Sequence, residues 1–254
     1  ESTNDNHDLD ALSEWISGYP RLTQGELTKK YESEWSDYLG TKSSVSVNSG
    51  SSANLLMLYA MIEAGDLLPG DSVIVPALSW ATDLAPIIQL GLTPILCDCN
   101  MIDFSLDLDH LEDLLDNGVI FKEHEIKVRK RAKVVIIVPV LGFVPNMEKV
   151  VAMCNSHNVL LLEDCCESLG SEYKGQKLGT FGVMSTFSTF FGHHISTIEG
   201  GMICTNDPKY DKILRSIRAH GWGRDWTEEQ QVEEQLKWEV SDFDAAFTFY
   251  TAGF

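Results

Sequence analysis

The sequence predicts an α/β domain built on a mostly parallel central sheet with helices on both faces. Three observations point there. Short apolar runs of strand length alternate with longer amphipathic stretches, and several of those stretches open on Ser, Thr or Asp, the residues that cap helix N-termini. With 254 residues, 44% of them hydrophobic, the chain is long enough to bury one large core. Strand and helix in strict alternation imply parallel pairing, because each crossover returns the chain to the same end of the sheet.

In chain order, Gly25–Tyr38 reads as a helix, Ser44–Val47 as a strand and Ser52–Glu63 as a helix. Ser72–Val75 then reads as a strand, Ala81–Leu90 as a helix, Thr93–Cys97 as a strand and Leu108–Leu115 as a helix. Val134–Val138 and Val159–Leu162 read as strands on either side of a helix over Met147–Asn155, and the strand Met202–Cys204 precedes a helix over Pro208–Arg218. Residues 1–24 are expected to form an N-terminal helical segment and residues 25–225 the large domain. Residues 226–254, which open on a glutamate-rich solvated helix, are expected to begin a smaller C-terminal domain left incomplete after Phe254.

The formal charge of −19, from 19 Lys+Arg against 38 Asp+Glu, repels a phosphate backbone and argues against nucleic acid as a partner. A phosphate-bearing ligand must therefore be gripped locally. Cys97, Cys99, Cys154, Cys165, Cys166 and Cys204 sit mostly in apolar runs, without the spacing of a zinc or iron-sulfur site. They read as thiols of a reducing cytoplasm. Glu1–Asp10 is polar and acidic, unlike a signal peptide, and no apolar run approaches membrane-spanning length, so a cytoplasmic location with no membrane partner is expected.

In an open α/β sheet, ligands sit beyond the carboxyl ends of the strands, and the informative residues fall there. Asn48-Ser49-Gly50-Ser51-Ser52-Ala53-Asn54 follows a strand and opens a helix, so it reads either as a phosphate cradle of backbone N–H groups and hydroxyls or as an ordinary cap and tight turn. Trp80, in Pro76-Ala77-Leu78-Ser79-Trp80-Ala81-Thr82-Asp83, stands at a strand-to-helix corner where its ring is placed either to stack on a flat cofactor or to fill core. Leu160-Leu161-Leu162-Glu163-Asp164-Cys165-Cys166-Glu167 is a buried strand ending in acids. Asp164 is placed either to pair with a pyridinium nitrogen or to cap the next segment.

Further on, Phe187-Ser188-Thr189-Phe190-Phe191-Gly192-His193-His194-Ile195 leads through Glu199-Gly200-Gly201 into the strand Met202–Cys204. The order N-S-G-S-S, tryptophan, E-D, S-x-x-x-x-[K/H] and E-G-G-x-x-x-T-N-D resembles the DegT/DnrJ/EryC1/StrS family of nucleotide-sugar aminotransferases. Gly18-Tyr19-Pro20-Arg21-Leu22-Thr23-Gln24-Gly25 looks like that family's entry motif. The resemblance implies the aspartate-aminotransferase-like fold of type I pyridoxal-phosphate enzymes. Family members place a cofactor-binding lysine six residues before the glutamate of E-G-G, and here that register holds His193. No lysine occurs between Lys177 and Lys209.

Within the family, H-H-I is similar to the lysine-lacking 3-dehydratases of dideoxysugar pathways that serve the lipopolysaccharide O-antigen. That branch uses pyridoxamine 5′-phosphate, with pyridoxal 5′-phosphate as its spent form, and binds it without a covalent link. Carried onto matching positions, the resemblance implies that Gly50, Ser51 and Ser188 hold the phosphate, Trp80 stacks on the ring, Asp164 faces its nitrogen and Glu167 adjoins it. It makes His193 the proton-transfer base, and places Thr23, Gln24 and His220 toward the substrate. The implied substrate is a nucleotide-linked 4-keto-6-deoxyhexose that loses its C3 hydroxyl, with glutamate as amino donor and a homodimer sharing its active sites. Imidazole changes charge near neutral pH, so one side chain can accept a proton and return it to a departing hydroxyl. Some members of this branch also carry an iron-sulfur cluster. No cysteine follows Cys204, which favours the cluster-free, colitose-type route. Two other readings stay open: an aminotransferase whose lysine function has moved, and a silent relative that binds nucleotide sugar as a sensor.

Overall fold

A computed structural model describes residues 4–123 and 126–222; the expected start of a smaller domain over 226–254 lies outside the described residues. The elements run α1 (Asn6–Ser17), α2 (Glu26–Leu39), β1 (Ser43–Val47), α3 (Gly50–Glu63), β2 (Ser72–Pro76), α4 (Ala81–Gln89), β3 (Thr93–Cys97) and α5 (Leu108–Asn117). There follow β4 (Val119–Glu123), β5 (Ile126–Lys130), β6 (Ala132–Ile137), a single 3-10 turn (Val140–Gly142), α6 (Met147–His157) and β7 (Leu160–Asp164). The short β8 (Glu172–Tyr173) and β9 (Gln176–Lys177), then β10 (Met184–Ser188), β11 (Gly201–Thr205) and α7 (Pro208–Ile217), complete the described fold. Among the described residues no helix is long and apolar enough to cross a membrane.

Seven strands form one sheet in the order β1-β11-β10-β7-β6-β2-β3. β11 runs antiparallel to both its neighbours, and the remaining pairs are parallel. The α/β class expected from the sequence is the fold observed. Every residue of β2 and β11 is buried, the mark of strands covered on both faces.

Alternate residues of the central strands feed two cores. Leu161 and Cys165 of the β7 region, Val135 and Ile137 of β6, and Phe187 of β10 pack with Trp35 of α2, Leu111 of α5 and Val150 of α6. Leu162, Val134, Ile136 and Met184 face the other way, against Met57 and Met61 of α3, Ile87 of α4 and Leu214 of α7. Each fully buried Leu, Ile or Val contributes about 1.5–3 kcal/mol, so these two faces fix the strand register that carries the polar ends.

The structure departs from the sequence reading in instructive ways. α3 starts at Gly50, two residues earlier than expected, because Ser49 rather than a later residue supplies the cap. β7 runs on to Asp164, so both acids at its end belong to the strand. β10 was not expected: Met-Ser-Thr-Phe-Ser lacks an apolar run, yet Ser185 and Thr186 are completely buried within it. The antiparallel β4–β5 pair was likewise absent from the list of expected elements, whereas the helix α1, whose Asp5–Asp8 capping box closes its first turn, lies within the segment 1–24 expected to be helical.

Candidate active site

The carboxyl ends of β1, β2, β7 and β10 lead into the loops that hold the expected site residues. Ser49 caps α3, its hydroxyl accepting from the Ser52 N–H at 3.1 Å. Gly50 follows, and a Cβ there would stand 2.8 Å from Ser188 Cβ and 2.9 Å from Cys166 Sγ. Only glycine lets the helix start press against the ends of β7 and β10. Gly201 plays the complementary part, since a Cβ on it would run into the Ser49 carbonyl. The side chains of Cys166 and Ser188 and the backbone of Gly201 thus crowd onto the first turn of α3, where N–H groups have no intrahelical acceptor and the helix dipole favours an anion. Gly50 and Ser188 are brought together here, with the exposed Ser51 on the same turn.

Asp164 ends β7 with its side chain buried. One carboxylate oxygen accepts from Asn54 Nδ2 at 2.6 Å and the other from the Cys166 backbone N–H at 2.8 Å. Asn54 lies one turn into α3 and is itself oriented by the Thr186 hydroxyl, which donates to its Oδ1 at 2.6 Å. The same Nδ2 reaches Asp83 Oδ1 at 3.2 Å and the Thr82 carbonyl at 3.4 Å. Pro86, inside α4, has no N–H to offer that carbonyl, which leaves it open to Asn54.

Asp83, in the first turn of α4, is also buried. Burial above all, and next the adjacent charge of Asp164, push its carboxyl up to about 10. Burial likewise drives the Cys166 thiol well above its ordinary value, so it is an inert wall and not a nucleophile. Asn54, Asp83 and Thr186 had no role in the sequence reading. The available signal was an asparagine one helical turn after Gly50 and an acid in the otherwise apolar Ala81–Gln89.

Trp80 is the N-cap residue of α4, its carbonyl accepting from the Asp83 N–H at 3.0 Å, and its ring is 70% exposed. A tryptophan left this open is not core. Glu167 accepts from the Leu141 N–H at 3.0 Å, tying the β7 loop to the turn that follows β6.

His193 lies on the loop between β10 and β11, half-buried, with its N–H donating to the Phe190 carbonyl at 2.9 Å and its ring edge-on to Phe190 at 6.4 Å. The loop is cross-braced: Thr189 N–H donates to the Gly200 carbonyl and Thr197 N–H to the Thr189 carbonyl, both at 2.9 Å, and the two threonine hydroxyls meet at 2.6 Å. A Cβ at Gly200 would collide with those hydroxyls. Asn4 adds a clamp from the N-terminal segment, accepting from the Ser196 hydroxyl at 2.8 Å. His194 is exposed.

The expected substrate residues stand elsewhere. Gln24 lines an open cleft between α2 and α7 at the β1 edge, whose walls include none of Gly50, Trp80, Asp164, Ser188 or His193; Thr23 is exposed beside it. His220 is exposed beyond α7 with a left-handed φ of 67°, its ring 5.2 Å from that of Trp222.

A cradle that a single Cβ would fill, beside a buried carboxylate, fits a flat heterocycle bearing a phosphate at one end and a protonated nitrogen within reach of Asp164.

Comparison with known proteins agrees. The chain is 36% identical over 255 residues, its whole length and 61% of the relative's, to GDP-4-keto-6-deoxy-D-mannose 3-dehydratase of Yersinia pseudotuberculosis. Two crystal structures of GDP-4-keto-6-deoxymannose-3-dehydratase, one with bound GDP-perosamine and one with a trapped PLP-glutamate geminal diamine, match with a TM-score of 0.80. Each is 35% identical over 90% of this chain and 56% of that one. The chain therefore spans about three fifths of the length of these relatives. The model of the DegT/DnrJ/EryC1/StrS aminotransferase family matches residues 3–249, and the chain belongs to that family.

Proposed function

We propose that the protein is a pyridoxamine-phosphate-dependent 3-dehydratase of a nucleotide-linked 4-keto-6-deoxyhexose, with His193 in place of the family lysine. The observation that carries this reading is the residue at that register: a histidine, with no lysine between Lys177 and Lys209. When bound, the cofactor's ring supplies the electron sink through which the sugar's C3 hydroxyl is expelled.

The chain's own residues do the rest. The first turn of α3 at Gly50 and Ser51, with the Ser188 hydroxyl, binds the phosphate. Trp80 covers the ring, Asp164 keeps the ring nitrogen protonated, and Glu167 holds the loop beside it. His193 takes up a proton on its imidazole and delivers one to the oxygen of the departing hydroxyl. A lysine amine at the same place would bind an aldehyde covalently, and histidine cannot. Thr23, Gln24 and His220 are assigned to the sugar nucleotide, glutamate to recharging the cofactor, and the working form to a cytoplasmic homodimer with shared sites. The dehydratase relatives, and the sugar nucleotide and glutamate adduct held in their crystals, support a nucleotide-sugar substrate and glutamate as amino donor.

The test is to incubate the protein with pyridoxamine phosphate, glutamate and GDP-4-keto-6-deoxymannose and to follow the product by mass spectrometry. The expected product lacks the C3 hydroxyl. Borohydride should label no lysine in the native protein, whereas His193→Lys should give a yellow, covalently trapped cofactor and no dehydration. A labelled native lysine would establish the aminotransferase reading instead, and sugar binding without turnover the sensor reading.

A further inference from the structure

Asp83 is a second acid behind the first. Its carboxyl and that of Asp164 share one donor, the Asn54 side-chain amide, and both side chains are buried. Asn54 Nδ2 has two protons and three oxygens around it: Asp164 at 2.6 Å, Asp83 at 3.2 Å and the Thr82 carbonyl at 3.4 Å. Asp83 Oδ2 finds no donor among the described residues. An ionised carboxylate only accepts, so two ionised groups around one amide would leave that oxygen without a donor in a low-dielectric site. A single proton between them resolves the conflict.

We propose that Asp83 is a positioning residue that carries a proton and donates it to Asp164, so that the pair presents one shared negative charge to the cofactor's ring nitrogen. This rests on the assignment of Asp164 to that nitrogen. Of the other groups acting on Asp83, the Trp80 backbone pulls toward the ionised form, Glu167 adds negative charge against it, and the Cys166 thiol beside the pair is itself held neutral by burial. Burial and the charge of Asp164 raise Asp83 to about 10, well past neutrality. By donating to Asp164, Asp83 lowers the basicity that Asp164 would otherwise turn on the ring nitrogen and fixes the direction of its remaining lone pairs.

The first arm of the test uses the protein without cofactor. At pH 8, infrared difference spectra should show a buried protonated carboxyl that is lost in Asp83→Asn; Glu163, the other buried acid raised by its surroundings, reaches only about 6 and is ionised by then. Identical spectra for the native protein and the variant would overturn the proposal. The second arm follows the absorbance of bound pyridoxal phosphate against pH. Asp83→Asn keeps a permanent donor and should hold affinity within threefold and leave the profile in place. Asp83→Leu removes the donor, restores full charge on Asp164 and should move the ring-nitrogen transition upward by about one pH unit or more. A purely structural Asp83 would alter folding or affinity and leave the profile where it was, which would also overturn the proposal. If the leucine variant fails to fold, the infrared arm and the asparagine variant decide. If the native protein binds no pyridoxal phosphate, the cofactor assignment falls, while the infrared arm still judges the shared proton.

Discussion

Glu163 and Asp164 are neighbours on one strand, yet they open onto opposite faces of the sheet and do opposite things. On the α2 side, Glu163 is completely buried and accepts from three backbone N–H groups, those of Gly179, Phe181 and Gly182, each at 2.7 Å. On the α3 side, Asp164 accepts from one side-chain amide and one backbone N–H, and it shares that amide with a second carboxyl, that of Asp83. Strand periodicity turns adjacent residues to opposite faces, and the donors waiting there decide the role. A carboxylate saturated by backbone is a structural clamp on the 179–182 turn. One held by an adjustable side-chain network beside a second carboxyl is placed to answer a ligand.

The sharpest way to break this contrast is to neutralise each acid in turn. Asp164→Asn should cost about 1–3 kcal/mol of stability, because its single carbonyl oxygen can accept from Asn54 or from Cys166 but not from both, and should cut cofactor-dependent turnover roughly 10²–10³-fold, the cost of removing one preorganised electrostatic partner. Steady-state rates with saturating pyridoxamine phosphate check it. If turnover survives, Asp164 is not the group that faces the ring.

Glu163→Ala should do the reverse. Three buried N–H groups lose their acceptor, which predicts a loss of about 3 kcal/mol or more in stability by denaturant unfolding at pH 7. Turnover per folded molecule should stay within about twofold, a change of roughly 0.4 kcal/mol in the barrier. A variant that is stable but inactive would erase the distinction between the two faces.

That distinction was only half visible in the sequence. The α/β alternation and the central strands β2, β6 and β7 were legible because apolar runs need no context. Gly50, Trp80, Asp164, Ser188 and His193 could be singled out as candidates because their motifs stand in a recognisable order at strand ends. The motif singled out Asp164 over Glu163, but nothing local says that the turn at 179–182 folds back onto Glu163. β10 was invisible for a related reason: its buried Ser185 and Thr186 are satisfied by the Gly179 carbonyl and by Asn54, partners six and 132 residues away. Asp83 acquires meaning only when α4 is laid beside α3 and β7. Pairings of this kind are tertiary facts, and periodicity carries no record of them.

The smallest expected effect separates the two faces by pH. Burial raises Glu163 from 4.5 to about 6 against the pull of its three N–H donors, so between those values the folded protein holds a proton that the unfolded chain has released. Its contribution to stability is therefore complete below pH 4.5 and lost as pH rises through 6, a fall of about 2 kcal/mol at roughly 1.4 kcal/mol per unit. Asp83, raised by burial and next by the charge of Asp164, has the same sign, so its share continues to decline after that of Glu163 is spent. Denaturant unfolding from pH 4 to 9 should show a decline whose acidic part is flattened by Glu163→Ala and whose part above pH 7 is flattened by Asp83→Asn. If one substitution removes both parts, the two faces of β7 are coupled through the strand, and the sheet does not insulate the clamp from the site.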